Sequence, residues 1–339
     1  MGMGPASNES KNVVIAVMGV TGSGKSTFIQ TASGQDVEVG HTLHACTQKL
    51  SVYEFEHEGY NVTLIDTPGF NDTFRTDADI LKEIAQWLEF TYTKGFRLSG
   101  IIYLHRIADV RMEGSALRNL KMFRKLCGDE PLKNVLLATT FWEKVDSEIG
   151  SKRENELVSV PEFWGDMVEY GSQVVRFTGT ARSALEIITQ FFGRATVTLK
   201  IQEELVNEGK KLVDTAAGSS LNEELLALQK KHSDELKQVE KDMREAIADK
   251  DEQLKKILEK EQRRLDRQLQ RFQDEQDQLR ADRRNQMRAL DQEWESRIRQ
   301  MQEDAERQRI LEKRVNEEQM ALQRAEIEGL KQAQRRNRS

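Results

Sequence analysis

The sequence predicts an α/β domain with a doubly wound, mostly parallel sheet, followed by a long α-helical, coiled-coil-like extension. Strand-like apolar runs alternate with helical segments before about residue 195, and all four prolines lie in this part. Charged side chains account for 46 of the first 200 residues but for 62 of the remaining 139. A segment this polar cannot bury a core by itself, so we expect the second part to be a polar helix.

Apolar runs identify the strands of the sheet. Residues 13–18 form an unbroken, mostly β-branched run, which is typical of a strand buried on both faces of a parallel sheet. Residues 51–56 alternate between apolar and polar, and residues 61–66 form another buried strand, so residues 57–60 should turn a hairpin. Further strands are predicted at 100–104, 134–139 and 173–177, and helices at 25–31, 77–90, 115–127, 162–170 and 183–192. Such alternation favours a doubly wound sheet, because parallel neighbours need crossover connections.

Composition divides the chain into four parts. We expect a disordered leader (1–10), an α/β domain (11–195), a connecting helical segment (196–218) and a charged helical region (219–339). Gly218, Ser219 and Ser220 form the best candidate for a hinge before the charged region.

The apolar stripe of the charged region is irregular. Apolar residues recur at steps of three or four from Leu236 to Leu279, and a step of eight then breaks the heptads and introduces eleven-residue spacing. Gln276 and Arg283 place polar groups in the stripe. A self-associating coiled coil is the favoured interpretation, and the alternatives are a helix docked back on the α/β domain or an isolated charged helix.

Composition also excludes several classes of protein. No apolar run approaches the roughly 20 residues of a membrane helix, and no signal-peptide pattern is present. Cys46 and Cys127 form no disulfide framework, so we expect a cytoplasmic location without a transmembrane anchor. A net charge of −6 argues against nucleic acid as the main partner. The five histidines have no metal-ligand spacing.

A phosphate-binding motif carries the chemistry. Residues 19–26 match G-x-x-x-x-G-K-[ST], directly after a buried strand and before a helix. In this setting the glycines let backbone N–H groups surround phosphates, the Lys25 ammonium reaches the β- and γ-phosphates, and the Ser26 hydroxyl binds Mg²⁺. The residues expected to bind nucleotide here are Gly19, Thr21, Gly22, Ser23, Gly24, Lys25, Ser26 and Thr27.

The sequence D-T-P-G at residues 66–69 provides the second element. The Asp66 carboxylate at a strand end can hold Mg²⁺ through water, and the Gly69 amide can contact a γ-phosphate. A hydroxyl from a mobile segment should complete the Mg²⁺ site. Thr47 is the better candidate for a metal-binding and catalytic role beside Lys25, because it opens directly into the hairpin strand; Thr42 is the alternative, and a site using neither stays open.

Recognition of the base departs from the usual [NT]-K-x-D pattern. The predicted strand 134–139 runs into Thr140, Phe141, Trp142 and Glu143, so a carboxylate is present but phenylalanine replaces lysine. Phe141 and Trp142 either stack on the base or pack in the core. We expect Thr140, Glu143 and the Gly179 amide to contact the base. Guanine is favoured over adenine or relaxed specificity.

Together these residues resemble the paraseptin branch of translation-factor-class GTPases, and most of all the immunity-associated nucleotide-binding (IAN/GIMAP) family. The likeness covers roughly residues 11–195. It is carried by T-x-x-x-C-T at 42–47, by D-T-P-G-F-N-D-T at 66–73, and by the stretch 100–114 at the place of that family's characteristic box. The resemblance implies a P-loop GTPase domain in which a second copy meets the first across the nucleotide face.

Hydrolysis lacks one expected group. Ras-like enzymes orient water with a glutamine directly after the D-x-x-G glycine, but Phe70 occupies that position here. We therefore expect slow hydrolysis, or a site completed by a second domain. The candidates for the completing group are Arg75, Arg106, Arg111, His41 and His44.

Two functional hypotheses follow from these motifs. One is a GTPase switch or scaffold that binds GTP and GDP with Mg²⁺, forms a homodimer and acts on a protein effector. The other is a septin-like structural protein with little or no hydrolysis. An ATP-driven motor or a small-molecule kinase is disfavoured by D-T-P-G.

Overall fold

The computed structural model describes residues 11–36, 50–72, 75–110, 112, 114–248, 252–280 and 299. The described residues up to 280 belong to one compact unit, Lys11–Asp282. The second unit, Met1–Ser10 with Arg283–Ser339, lies outside the described residues apart from residue 299, which is helical.

The described sheet has six strands in the order β2-β3-β1-β4-β5-β6. The strands are β1 (Lys11–Gly19), β2 (Ser51–His57), β3 (Tyr60–Asp66), β4 (Gly100–Arg106), β5 (Val135–Thr140) and β6 (Gln173–Arg176). β2 runs antiparallel to β3, and every other pairing is parallel. The hairpin turns at Glu58 and Gly59, whose φ angles of 51° and 73° suit a two-residue turn. The predicted fold class is confirmed.

Helices cover both faces of the sheet. They are α1 (Lys25–Ser33), α2 (Asp77–Thr93), α3 (Gly114–Cys127), α4 (Ser147–Ser159), α5 (Asp166–Glu169), α6 (Ala181–Thr189), α7 (Lys200–Gln202), α8 (Ala216–Ala248) and α9 (Glu252–Arg280). Single turns of other helix types occur at Glu130–Asn134, Trp142–Lys144, Pro161–Gly165, Glu203–Asn207 and Leu212–Asp214.

Alternate side chains of the central strand face different helices. Val13, Ile15 and Val17 of β1 belong to one apolar cluster with α1 and α6. On the neighbouring strand, Tyr103 packs on Phe123 of α3, with ring centroids 4.5 Å apart. A strand covered on both faces needs a continuous apolar run, which is why the pattern of β1 is unbroken.

The parallel strands bring the sequence motifs to one edge. β1 lies between β3 and β4, so the carboxyl ends of these three strands, and of β5 beyond them, meet there. Gly19, Asp66, Arg106 and Thr140 each end one of the four strands. Ligands of open α/β sheets bind at this edge, in the crevice where the strand order reverses.

Helices α8 and α9 form an antiparallel hairpin that packs on the α/β domain. His232 of α8 stacks on Phe272 of α9, with ring centroids 5.4 Å apart. Leu221 and Leu225 of α8 are buried, and Thr76 beside α2 is hydrogen-bonded to Gln278 of α9 at 3.1 Å. Residues 216–280 therefore fit the docked alternative. The self-association predicted for the charged region also concerns residues 281–339, which lie outside the described part apart from residue 299.

The expected hinge is not a hinge in the structure. Gly218 lies inside the first turns of α8, and a Cβ placed there would lie 1.8 Å from the carbonyl oxygen of Leu212. The glycine lets the helix pack closely against the preceding turn. A local glycine–serine pattern could not distinguish this close packing from a flexible joint.

Several absences hold for the described part of the chain. None of its helices is long and apolar enough to cross a membrane. Nor do its His, Cys, Asp and Glu side chains form a group of three or more that could hold a metal ion. The Cys127 thiol is buried, and burial raises its pKa, so this thiol is inert. Cys46 lies outside the described residues.

Candidate nucleotide site

The loop between β1 and α1 requires glycines at fixed positions. Gly19, Gly22 and Gly24 have φ angles of 142°, 76° and 97°, which L side chains rarely adopt. A Cβ at Gly19 would also lie 2.5 Å from the Leu104 carbonyl oxygen. α1 begins at Lys25 with no side-chain cap and no acid in its first turn, so its N-terminal N–H groups stay available to an anion.

Lys25 is buried beneath this loop. Its Nζ donates to the carbonyl oxygens of Gly19 and Val20, each at 3.1 Å. Burial lowers the pKa of Lys25 to about 8, although the charges of Asp66 and Asp72 act in the opposite direction. Little water surrounds a buried ammonium group. Its attraction to phosphate oxygens is therefore weakly screened and strong.

Ser26 and Asp66 provide oxygen ligands at one point. Ser26 Oγ donates to Asp66 Oδ2 at 3.1 Å, and the Asp66 side chain is buried. A hydroxyl and a carboxylate are ligands that Mg²⁺ prefers, so these two residues fit the ion. Thr47 and Thr42 lie outside the described residues, so Thr47 stays a prediction.

The D-T-P-G segment packs directly on the phosphate loop. Thr21 N donates to Phe70 O at 2.8 Å, and Thr21 Oγ1 donates to Gly69 O at 3.1 Å. A Cβ at Gly69 would lie 2.6 Å from Thr21 Oγ1 and 2.7 Å from Lys25 Nζ. Phe70 is fully buried, so its position offers no group that could orient water.

The end of β5 also reaches the loop. Thr140 Oγ1 lies 2.8 Å from Ser23 O and 3.2 Å from His105 O, within donating distance of both. Phe141 adopts a left-handed conformation with φ of 59°. Its ring lies 3.6 Å from the position that a Cβ of Gly24 would take. Phe141 therefore occupies a place beside the loop.

Trp142 is held by protein groups. Its Nε1 donates to Thr139 Oγ1 at 3.0 Å, and the Arg176 guanidinium lies 4.1 Å from a ring centroid of the indole. A Cβ at Gly150 would lie 2.7 Å from the indole, so α4 packs closely against it. These contacts favour packing over base stacking for Trp142.

The remaining predicted base contacts lie on exposed loops. Glu143 is exposed in the turn Trp142–Lys144, after β5. Gly179 is exposed in the loop between β6 and α6, with φ of 77°. β5 and β6 are neighbours, so Thr140, Glu143 and Gly179 follow adjacent strand ends. Thr27 is exposed on α1, one residue beyond Ser26.

The candidates for the group that completes hydrolysis are in different environments. Arg75 pairs with Glu83 at 2.6 Å. Arg106 lies beside the phosphate loop, where its Nη1 is 3.5 Å from the Cβ position of Gly22. The other three candidates, Arg111, His41 and His44, are outside the described residues. The motif gave no sign of the contacts that Phe70, Phe141 and Arg106 make with the loop, because these contacts join segments far apart in sequence.

Comparison with known families and proteins agrees with this geometry. Residues 14–120 match the model of a family described as 50S ribosome-binding GTPase. GTP-binding protein A of Dictyostelium discoideum is 26% identical over 133 residues, 39% of this chain and 28% of that protein. GTPase Der of Cupriavidus taiwanensis is 39% identical over 64 residues, 19% of this chain and 14% of that protein. The matches thus span less than a third of either relative.

Solved structures of low identity are also similar. Toc33 from Arabidopsis thaliana in complex with Mg²⁺ and GMPPNP has a TM-score of 0.42 and 17% identity, covering 53% of this chain and 83% of that one. Era from Aquifex aeolicus bound to GDP.AlF4- has a TM-score of 0.39 and 17% identity, covering 55% and 58%. The family match over residues 14–120 includes the phosphate loop and the parallel strands β1, β3 and β4.

Proposed function

We propose that this protein binds GTP with Mg²⁺ and hydrolyses it to GDP, acting as a switch or scaffold through its helical extension. The observation that carries the proposal is the convergence of Lys25, Ser26 and Asp66 at the carboxyl ends of β1 and β3. The family match over residues 14–120 supports guanine nucleotide as the ligand. The resemblance to the IAN/GIMAP family also supports a cytoplasmic protein that pairs through its GTPase domain.

Each residue has a role that follows from its position. The loop amides and the N-terminus of α1 bind the phosphate chain, and Lys25 neutralises charge on the β- and γ-phosphates. Ser26 and Asp66 would hold Mg²⁺, with Thr47 as the third proposed ligand; when bound, the ion neutralises charge on the phosphate oxygens. Gly69 lets the D-T-P-G segment approach the loop closely enough for its amide to contact a γ-phosphate.

Fast hydrolysis requires a group that Phe70 does not provide. We propose that a second copy of the GTPase domain supplies this group across the nucleotide face, so that activity depends on pairing. The expected partners are therefore a second copy of this chain, which forms a homodimer with the first, and a separate protein effector. The pairing surface includes the GTPase domain, the helical extension or both.

A nucleotide-binding assembly protein with little hydrolysis is the second candidate. The fully buried ring of Phe70 favours it, because that position cannot orient the attacking water. In this case the bound nucleotide stabilises the fold and its assemblies, and turnover stays slow at every protein concentration.

The binding proposal is tested by identifying the nucleotide that copurifies with the full chain and measuring affinities for GTP, GDP and ATP in Mg²⁺. Lys25→Ala should abolish measurable GTP binding, whereas Lys152→Ala should not change it. Lys152 is a suitable control because it is exposed on α4 and forms a surface ion pair with Glu148. A preference for ATP would overturn the assignment of guanine.

The hydrolysis proposal is tested by measuring phosphate release over a hundredfold range of protein concentration. Activation by pairing predicts that turnover per molecule rises with concentration, in parallel with the dimer fraction seen by sedimentation. Turnover that stays slow and constant while nucleotide remains bound would favour the assembly protein instead.

A further inference from the structure

Arg106 lies at the end of β4, next to the phosphate loop. Its Nη1 is 3.5 Å from the point where a Cβ of Gly22 would stand. Gly22 is an exposed loop residue with φ of 76°, so its backbone is accessible to a ligand. A guanidinium group thus reaches the rim of the loop from the same polypeptide.

The backbone around Arg106 is fixed from two sides. Ile107 N donates to Thr140 O at 3.0 Å, and Thr140 Oγ1 lies 2.8 Å from Ser23 O in the loop. Arg153 Nη1 donates to the carbonyl oxygens of residues 107 and 108, at 2.9 and 3.0 Å. These contacts connect the end of β4 to the end of β5 and, through Thr140, to the phosphate loop.

The side chain of Arg106 pairs with the Asp109 carboxylate. Arg106 Nε lies 3.1 Å from Asp109 Oδ1, while Nη1 is directed to the loop. The Arg106 side chain is 41% exposed, so its terminal N–H groups remain accessible. A planar guanidinium can donate two parallel hydrogen bonds to phosphate oxygens. The ion pair with Asp109 uses Nε, so the terminal nitrogens of Arg106 can still donate to a phosphate.

We propose that Arg106 contacts the phosphate chain of the bound nucleotide in cis, as a second cation beside Lys25. This inference rests on the proposed nucleotide site. Lys25 binds from beneath the loop, whereas Arg106 reaches it from the exposed rim. Arg106 is therefore assigned to the nucleotide of its own domain, rather than to that of a paired copy.

The test compares Arg106→Gln, Arg106→Lys and Arg97→Gln in the full chain. Arg97 is a matched control because it precedes the opposite end of β4, is also half-buried, and donates to the carbonyl oxygens of Tyr92 and Phe96. Loss of a charged hydrogen bond predicts that Arg106→Gln weakens GTP and GDP binding about tenfold to a hundredfold. Arg106→Lys should recover part of this loss, and Arg97→Gln should bind as the wild type does.

Salt dependence separates a nucleotide contact from a structural ion pair. If Arg106 contacts phosphate, the affinity difference between wild type and Arg106→Gln shrinks as salt concentration rises, because exposed ionic contacts are screened. Asp109→Asn removes the ion pair but keeps the guanidinium, so it should retain nucleotide binding.

Three results would count against the proposal. They are a Kd of Arg106→Gln within twofold of wild type, an affinity loss independent of salt, or an equal loss in Asp109→Asn with a matching fall in thermal stability. The outcome is separate from that of the proposed function. If wild type binds no nucleotide, the proposed function fails; if wild type binds and Arg106→Gln binds equally well, only the inference on Arg106 fails.

Discussion

Gly69 occupies a position in which any side chain would collide with the phosphate loop. A methyl group there would lie 2.6 Å from Thr21 Oγ1 and 2.7 Å from Thr21 Cα, and backbone cannot move as easily as a flexible side chain. We predict that Gly69→Ala lowers stability by about 1–3 kcal/mol through overpacking and weakens GTP binding more than GDP binding. Chemical denaturation and titration with both nucleotides measure the two effects.

Gly114→Ala is the control for this substitution. Gly114 begins α3, and a Cβ there would meet no atom of the described residues within 4 Å beyond its own chain neighbours. The change should leave stability and both affinities close to wild type. If Gly69→Ala and Gly114→Ala have the same stability and the same affinities, the close approach of Gly69 to the loop contributes nothing to either quantity.

Glu143 provides the only acid of the altered base motif. A carboxylate can accept hydrogen bonds from the guanine N1–H and amino groups, and adenine has no matching pair of donors. We predict that Glu143→Gln weakens GTP binding about tenfold to a hundredfold, the cost of losing a charged hydrogen-bond partner, without weakening ATP binding. Equilibrium titration with both nucleotides measures this change in preference.

Glu148→Gln serves as the comparison for Glu143. Glu148 is also an exposed acid after β5, but it lies in α4 and pairs with Lys152 at 2.7 Å. Its substitution should change neither affinity. If both variants bind GTP like the wild type, Glu143 is a surface acid and the base is recognised by other groups.

Among the secondary-structure elements, α8 depends on its buried face for attachment to the domain. Leu225 is 2% exposed, whereas the adjacent Leu226 is 44% exposed. We predict that Leu225→Ala costs about 2–5 kcal/mol, because it leaves a cavity between α8 and its neighbours. Leu226→Ala should cost less than about 0.5 kcal/mol. Denaturation gives the free energies, and amide hydrogen exchange should show faster exchange in α8 of Leu225→Ala only.

The two leucines distinguish a docked α8 from a detached one. A helix that projects into solvent would expose both side chains, and the two substitutions would then have similar, small effects. Equal stability of Leu225→Ala and Leu226→Ala would therefore contradict the docked arrangement of residues 216–280.

Across the whole unit, the helical hairpin meets the domain through charged side chains that are buried or partly buried. Burial raises the pKa of Asp77 at the start of α2, of Glu224 in α8 and of Glu275 in α9. Arg118 of α3 and Arg271 of α9 partly offset this effect, and Arg271 lies 3.3 Å from Glu275. The ionised carboxylates lose solvation free energy when they are buried at this interface. The loss is smaller when they are protonated and neutral.

This arrangement makes stability depend on pH. An acid whose folded pKa is raised binds more protons in the folded state than in the unfolded state between the two pKa values. Its contribution to the free energy of unfolding therefore rises as pH falls from neutrality toward mildly acidic values. We predict that Glu275→Gln is more stable than wild type at neutral pH and that its stability rises less on acidification. Denaturation at a series of pH values measures both.

Glu252→Gln is the reference for that measurement. Glu252 is an exposed residue of the same helix, 4.0 Å from Lys255, and exposed ion pairs contribute little. Its pH profile should follow that of the wild type. A Glu275→Gln profile that is parallel to wild type would show that this carboxylate does not contribute to the pH dependence of docking.

Local patterns predicted most of the α/β domain. The unbroken run of β1, the hairpin turn at residues 57–60 and the helix that ends before Gly128 all appear in the structure. The phosphate loop was evident as well, because its glycines must adopt left-handed conformations that few other residues tolerate. Trp142 remained ambiguous in the sequence, since packing and stacking on a base require the same aromatic residue.

The sequence by itself determined the fold class and singled out Lys25, Ser26 and Asp66 as candidate site residues. These features depend on side-chain periodicity and on short motifs, which are encoded within a few neighbouring positions. Only the tertiary structure decided that α8 and α9 pack on the domain, and that Arg106 lies beside the phosphate loop. Both depend on contacts between segments that are distant in the chain. In addition, charged residues at the hairpin interface do not contribute to the apolar pattern by which a packing face is found in a sequence.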